Sequence, residues 1–406
     1  MLISTEIKNK VLSLLLKLIE LNRDKIIAAN REDFSHAMEI DKTLADRLKV
    51  DDNKIDEMVA AIRGVIEMED TVGKNLYEFD HPNGLKIKNI VVPFGNVLII
   101  YESRPDVTIE AAISAFKAGN KIYLKGGKEA RNTNLFLISL WKSALNQFNL
   151  PAELVEYLDL NRQQTRDLLV QNTLKLDLII PRGGDLLISF VKENTKVPVL
   201  VSGRGNNFIY IHREADFEMA INLVLDGKSR LSVCNAVDKV LFDKGLPDLE
   251  NKINKLHEKL TEKKIEVFGD GEIFKELNIN QIGDVSWYHE EFLSARIMFL
   301  VVDHAELAIE LINRYSGGHS AAIVTEDKST SALFMEKVDC AAVYHNASCR
   351  FTDGGQFGLG AEIAISTQKL HFRGPVSLQQ LVTNKWIISG SGQTRNYYEN
   401  ETDNCC

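Results

Sequence analysis

The sequence predicts an α/β protein built on two parallel sheets, and three observations carry that expectation. Between Val97 and Val201, short apolar runs alternate with segments of helical periodicity, the pattern of repeated strand–helix units. A second series of the same kind starts near Asn235 and runs to Tyr344. The length of 406 residues suits two or three domains at roughly 150 residues each.

The elements follow in order. Ile7, Val11, Leu14, Leu15, Leu18 and Leu21 recur at helical spacing and predict a helix over 6–30; a second is expected from Lys54 to Met68. Tyr77 to Val92 reads as two strands around Pro82-Asn83-Gly84, a hairpin that can pair with its own sheet or with another subunit. Strands are then expected at Val97–Tyr101, Lys121–Lys125, Leu154–Leu158, Leu176–Ile180 and Val197–Val201. Helices are expected at 105–119, 129–146, 162–170 and 185–194. In the second series the strands are 239–242, 297–302, 321–325 and 341–344, separated by helices near 250–260, 304–313 and 331–337. Asp353 to Gly360 is expected to be an ordered glycine-rich loop.

Composition narrows the class. Hydrophobic residues at 45% and charged residues at 26% describe an ordinary globular protein with a large core. A formal charge of −9 argues against a broadly basic surface, so neither nucleic acid nor an anionic membrane is an expected partner. Five cysteines (234, 340, 349, 405 and 406) are scattered and form no CxxC pair. Neither a metal site nor a disulfide framework is expected, and a reducing, cytoplasmic setting is. The apolar run Val11 to Ile19 is short, broken by Lys17 and followed by no small-residue cleavage site, so no signal peptide is expected.

Cys234 sits between a helical segment, Asp216 to Lys228, and the apolar strand after it, at the join of the two series. Its thiolate would be the strongest side-chain nucleophile near neutral pH, working through a thioester or thiohemiacetal; the competing reading is a packed core thiol. Cys340 is expected to pack at a strand entrance and Cys349 to line the same pocket without acting. Leu176 to Gly184 runs from a strand through Arg182, Gly183 and Gly184 into a helix, where amides can meet a phosphate or the glycines can serve a tight turn. Lys125 and Lys128, on a Gly-Gly loop, suit an adenosine ribose or its 2′-phosphate, or are simply solvated. Ser103 can donate to an oxyanion, and Arg104 can fork onto a substrate anion or pair with Glu102. Asn346 to Gly360, with Arg350, reads as a binding loop. His319, after Gly317-Gly318, reads as a solvated loop histidine.

Tyr101 to Val107, Asp177 to Gly184, Ser232 to Ala236 and the long run Ala342 to Pro375 together resemble the glutamate-5-semialdehyde dehydrogenase (γ-glutamyl phosphate reductase) family, a branch of the aldehyde dehydrogenase superfamily. The resemblance spans about residues 5–395. It implies NADPH-dependent reduction of L-glutamyl 5-phosphate to L-glutamate 5-semialdehyde, the second step from glutamate towards proline. It implies an NADP-binding domain over 1–75 and 94–230, a catalytic domain over 231–374, a β oligomerisation arm over 76–93 with 375–396, and a flexible tail over 397–406. The expected partners are the small-molecule substrate, channelled from a glutamate 5-kinase, and further copies of the chain in a homodimer or homotetramer. By similarity Cys234 is the nucleophile, with its backbone N–H among the oxyanion donors. Lys125 faces the adenosine end, the 182–184 turn lies near the cofactor phosphates, and Glu291 aligns with the glutamate that holds the nicotinamide ribose. Arg104 and Arg350 take substrate anions, with Ser103 and Asn346 beside them.

The chain departs from the pattern at several points. Hydrolytic aldehyde dehydrogenases carry a general-base Glu about thirty residues before the Cys, where this chain has Val201. Asn207 and Phe208 replace the Cys and His of a usual Gly-Asn-Cys-His. Asp226 to Leu231 lacks a usual Lys-Thr-Gln-Arg-Pro run and keeps Arg230. Two other readings stand beside the leading one. An acylating dehydrogenase for another acyl phosphate or for acyl-CoA is opposed by the Arg104 and Arg350 blocks. A non-catalytic nucleotide-binding regulator is opposed by the retention of Cys234, Arg230 and Glu291.

Overall fold

The computed structural model describes residues 3–36, 45 and 47–395, grouped in two compact units: one up to residue 199 together with residues from 377 onward, the other 200–376. The first unit begins with helices α1 (Thr5–Leu21), α2 (Arg23–His36) and α3 (Asp52–Glu67) and the hairpin β1 (Asn75–Asp80) and β2 (Lys86–Pro93). Then come β3 (Asn96–Tyr101), α4 (Val107–Lys117), β4 (Lys121–Lys125), α5 (Arg131–Gln147), β5 (Val155–Tyr157), α6 (Arg162–Gln171), β6 (Leu178–Arg182) and α7 (Asp185–Asn194). Strands β3 to β6 form a parallel sheet in the order β5-β4-β3-β6. Side chains set the helix starts: Ser4 accepts the Ile7 amide, Asp51 accepts that of Lys54, and Asn161 with Gln164 closes a capping box before α6.

Two expected elements change. The helix predicted over 6–30 is parted at Asn22, where φ is −115° and the side-chain amide donates to the Leu18 carbonyl at 2.8 Å. That local bond competes with helix continuation, and apolar spacing does not register it. The strand predicted at Val197–Val201 pairs only at one bridge, Ile179 with Val199; Pro198 accepts from the Ile179 amide but has no N–H for a ladder.

The second unit holds β7 (Asn207–Ile211), α8 (Phe217–Gly227), β8 (Val237–Asp243), α9 (Leu249–Glu262), β9 (Glu266–Asp270), α10 (Glu272–Glu276) and β10 (Asn280–Gln281). It continues with β11 (Arg296–Val302), α11 (Ala305–Tyr315), β12 (Ser320–Val324), α12 (Lys328–Lys337) and β13 (Ala342–His345). These strands form one parallel sheet, β10-β9-β11-β8-β7-β12-β13. β14 (Ala364–Ser366) and β15 (Gly374–Val376) pair antiparallel beside it in sequence. Strands β7, β8 and β12 are buried at every residue, and alternate side chains feed two cores. Ile209, Val240 and Phe299 belong to one core, Phe208, Leu241 and Met298 to the other.

Strand β7 was not predicted, and it moves a boundary. It pairs with β8 and β12, so residues 200–230 join the unit of Cys234, not the preceding domain that was expected to end at 230. Two asparagines at its start disguise an otherwise apolar strand.

Strand β16 (Val382–Ser389) joins the hairpin in a separate antiparallel sheet, β1-β2-β16. At its turn Gly84 has φ +91°, which glycine adopts freely, and its amide donates to the His81 carbonyl at 2.8 Å. The register puts Tyr77, Phe79, Trp386 and Ile388 on one face, all exposed. The expected tail, 397–406, lies outside the described residues. No described helix is long and apolar enough to cross a membrane.

Candidate active site

Residues 229–236 cross from α8 to β8 as a series of turns, and Cys234 is half-buried there. Cys340 and Cys349 are buried. Burial pushes the Cys340 thiol up to about 11 and raises Cys349 still further, so both stay protonated near neutral pH. Cys234 is therefore the accessible thiol among these three. Alkylation by iodoacetamide at pH 8, read by peptide mapping, is expected to modify Cys234 and to leave Cys340 and Cys349 intact in the folded protein. Equal labelling of all three would remove this distinction.

The turn is held on several sides. Asn207, the first residue of β7, donates its side-chain amide to the carbonyls of Cys234 and Ala236, both at 2.7 Å, and of Gly205 at 2.9 Å. Asn235 donates to the carbonyls of Arg350 and Thr352, each at 3.0 Å, and its side-chain oxygen accepts from the Arg350 guanidinium. Arg350 is thus brought to the residue next to Cys234. Gly205 packs so closely that a Cβ there would overlap the Cys234 carbonyl. Glu291 reaches the same point, its carboxylate accepting the Gly205 amide at 3.0 Å.

A buried lysine anchors the Glu291 segment. Lys239 Nζ donates to Asn206 Oδ1 and to the Glu290 carbonyl, both at 2.8 Å, and lies 3.8 Å from the centre of the Phe292 ring. Burial lowers this ammonium to about 7. Asn206 donates onward to the Tyr288 and Tyr315 carbonyls at 2.7 and 2.8 Å. Asp238, paired with Lys228 at 2.6 Å, accepts the Phe292 amide at 2.9 Å. Sequence reading missed Asn206, Asn235 and Lys239 as site-building residues. The available signal was polar residues at or just before the starts of largely apolar strands: Asn206 precedes β7, Asn235 precedes β8, and Lys239 lies within β8.

Two expected site residues of this unit have other work. Asn346, expected among the oxyanion and substrate groups, has φ +53° and turns its amide on the backbone: Oδ1 accepts the Thr325 N–H and Nδ2 donates to the Thr325 carbonyl, both at 3.0 Å. It latches the ends of β12 and β13. His319, expected to be solvated, is fully buried, with Nδ1 2.8 Å from the Ser320 hydroxyl. Burial pushes its imidazole down to about 4, so it is neutral.

In the first unit β3, β4 and β6 end side by side, Ile100 beside Lys125 and Tyr101 beside Arg182. The carboxyl ends of such strands are where parallel sheets bind ligands. Lys125 is half-buried, lowered by burial, and donates to the Gly126 carbonyl at 3.0 Å; Lys128 is exposed. Arg182 Nε is buried without a protein hydrogen-bond partner, and Gly184 has open space where a Cβ would stand. Lys125 and Arg182 thus end strands on either side of β3, with Lys128 and the open Gly184 in the segments that follow, an arrangement that suits an anionic, phosphorylated ligand.

Two expectations need correction here. Gly184 already donates its amide to the Glu102 carboxylate at 3.0 Å, so this N–H is not the free phosphate donor that the turn implied. Ser103, expected to serve an oxyanion, gives both its amide and its hydroxyl to Glu129 Oε1, at 2.9 and 2.6 Å. Arg104 bears electrostatically on Glu110. Burial chiefly, and then Asp106, raise that carboxyl to about 8 against the pull of Lys54, Arg104 and Arg182.

The profile of the aldehyde dehydrogenase family matches residues 7–271. The gamma-glutamyl phosphate reductase of Dictyoglomus thermophilum is 40% identical over 398 residues, 97% of this chain and 95% of that protein. The crystal structure of the gamma-glutamyl phosphate reductase of Thermotoga maritima matches with a TM-score of 0.90 at 38% identity, covering 97% of this chain and 95% of that one. At 15% identity the glyceraldehyde-3-phosphate dehydrogenase of Methanocaldococcus jannaschii, solved with NADP, shares the fold, with a TM-score of 0.68 over 96% of this chain and 90% of that one.

Proposed function

The chain belongs to the aldehyde dehydrogenase family, and from that premise we propose that it reduces L-glutamyl 5-phosphate to L-glutamate 5-semialdehyde with release of phosphate. The observation that carries this reading is the accessible Cys234 with Arg350 held beside it through Asn235, in a chain 40% identical to a gamma-glutamyl phosphate reductase along almost its whole length.

The Cys234 thiolate attacks the acyl carbonyl, the C–O bond to phosphate breaks, and phosphate leaves as a stabilised anion. A thioacyl enzyme remains. The Cys234 backbone N–H suits the developing oxyanion, and Arg350 draws a substrate anion to the nucleophile. When bound, the reduced nicotinamide dinucleotide supplies the hydride for the thioester. At the aldehyde level the Cys234 sulfur is the leaving group, so the thiolate is regenerated. Val201 stands where a hydrolytic relative has its base, so no carboxylate there turns water onto the thioester.

NADPH is the cofactor in this reading. Within the first unit Lys125 and Lys128 suit its 2′-phosphate and Arg182 its pyrophosphate. Replacing Lys125 and Lys128 together by alanine is expected to raise KM for NADPH on the order of 100-fold, on about 1.5 kcal/mol for each of the two lost charge-assisted contacts. KM for NADH should hardly move. Parallel initial-rate measurements with the two cofactors check this, and equal shifts would remove the lysines from 2′-phosphate recognition.

Homo-oligomerisation through the β1-β2-β16 sheet accounts for the exposed Tyr77, Phe79, Trp386 and Ile388 face. A cytoplasmic location agrees with the absence of disulfides at Cys234, Cys340 and Cys349. Acyl phosphates are reactive, so direct delivery from a glutamate 5-kinase suits the substrate.

The reverse reaction tests the function: NADP reduction by glutamate 5-semialdehyde, with and without phosphate. Phosphate-dependent turnover is expected. Turnover only with coenzyme A would favour an acyl-CoA enzyme, and none under either condition would favour a regulator.

A further inference from the structure

Asn207 is a primary amide at 0% exposure, opening a strand whose next four residues, Phe208 to Ile211, are also wholly buried. Its Oδ1 is buried with no protein partner. Leaving such an acceptor unpaired is costly, so packing alone would favour an apolar residue here. What the amide does is donate. Its nitrogen faces three carbonyls, those of Cys234, Ala236 and Gly205, at 2.7, 2.7 and 2.9 Å.

These carbonyls belong to two separate turns. Cys234 and Ala236 lie on the nucleophile turn, which closes on itself through the Ala236 amide and the Val233 carbonyl at 3.2 Å. Gly205 lies on the turn that meets Glu291. The Cys234 carbonyl is part of the peptide plane leading to Asn235, and Asn235 holds Arg350. Fixing that plane fixes the direction in which Cys234 projects its sulfur, and the place from which Asn235 reaches Arg350.

We infer that Asn207 is a positioning residue for the proposed nucleophile, tying the Cys234 turn to the Gly205 turn through its side-chain N–H donors. The inference rests on the reading of Cys234 as the nucleophile. Asn207 itself touches no reacting atom.

Asn207→Ala and Asn207→Ser form the test pair: they leave nearly the same space, and only serine offers a donor. In alanine kcat is expected to fall on the order of 10–100-fold, as for a small displacement of a reacting group, with both KM values unchanged. Serine should recover part of that loss. The rate of Cys234 alkylation by iodoacetamide should depart from the wild-type value in alanine and return towards it in serine. Equal kcat in the two variants, or a loss that only follows the folded fraction measured by circular dichroism, would overturn the inference. So would a rise in KM at unchanged kcat. Alkylation needs no substrate, so an inactive wild type would defeat the proposed reaction while the alanine–serine order still decides this point.

Discussion

Replacing Cys234 by alanine is expected to lower the reduction of glutamyl 5-phosphate on the order of 10⁴-fold or more, with the fold and dinucleotide binding retained. The size follows from the mechanism, because the covalent route disappears with the thiol. Neither remaining thiol of the second unit can take over: Cys340 is held near 11 by burial, and Cys349 is fully buried and higher still. Nor is there a carboxylate at Val201 to open a route through water. Serine at 234 should lose nearly as much, since its hydroxyl has no comparable anionic form near neutral pH. Two measurements check the result. The consumption of NADPH should stop, and the acyl adduct trapped on the Cys234 peptide of the wild type should be missing. Turnover near the wild-type rate in the alanine variant would put the nucleophile elsewhere and overturn the mechanism.

Much of the frame was legible because it depends on periodicity. The runs around β3, β4, β6, β8, β11 and β12 are apolar and short, and helices between them impose parallel pairing. Cys234 was legible as the candidate nucleophile because thiol chemistry has few alternatives. What surrounds it was not. Asn207 looked like a loss, a departure from a family pattern; in the structure it supplies donors to the nucleophile turn. Ser103 and Asn346 looked available, yet Glu129 and the Thr325 backbone occupy them. Residue type reveals which bonds a side chain can make, and only the fold decides which it does make. Strand β7 shows the same limit at a larger scale, where one asparagine just before the strand and one opening it, both bonded to backbone carbonyls, resemble a loop in the sequence.

Gly205→Ala is expected to lower kcat on the order of 100-fold while leaving the thiol chemically intact. A Cβ at this position would overlap the carbonyl oxygen, carbonyl carbon and Cα of Cys234, which are backbone atoms with no rotamer to yield. Relief must come from moving one turn away from the other, against the Asn207 amide that bonds to both. Overpacking of this kind costs about 1–3 kcal/mol of stability. Displacing a reacting sulfur by about 1 Å can cost on the order of 100-fold in rate. The rate should therefore suffer far more than the melting temperature, and the Glu291 contact with the Gly205 amide should weaken as well, raising KM for the dinucleotide. Steady-state kinetics beside thermal unfolding separate the two effects. Wild-type kcat in a stably folded variant would mean that the turns part without moving the sulfur, and the close approach of Gly205 would then be packing alone. Cys234→Ala removes the nucleophile and so tests which atom reacts; Gly205→Ala keeps that atom and tests where it must stand.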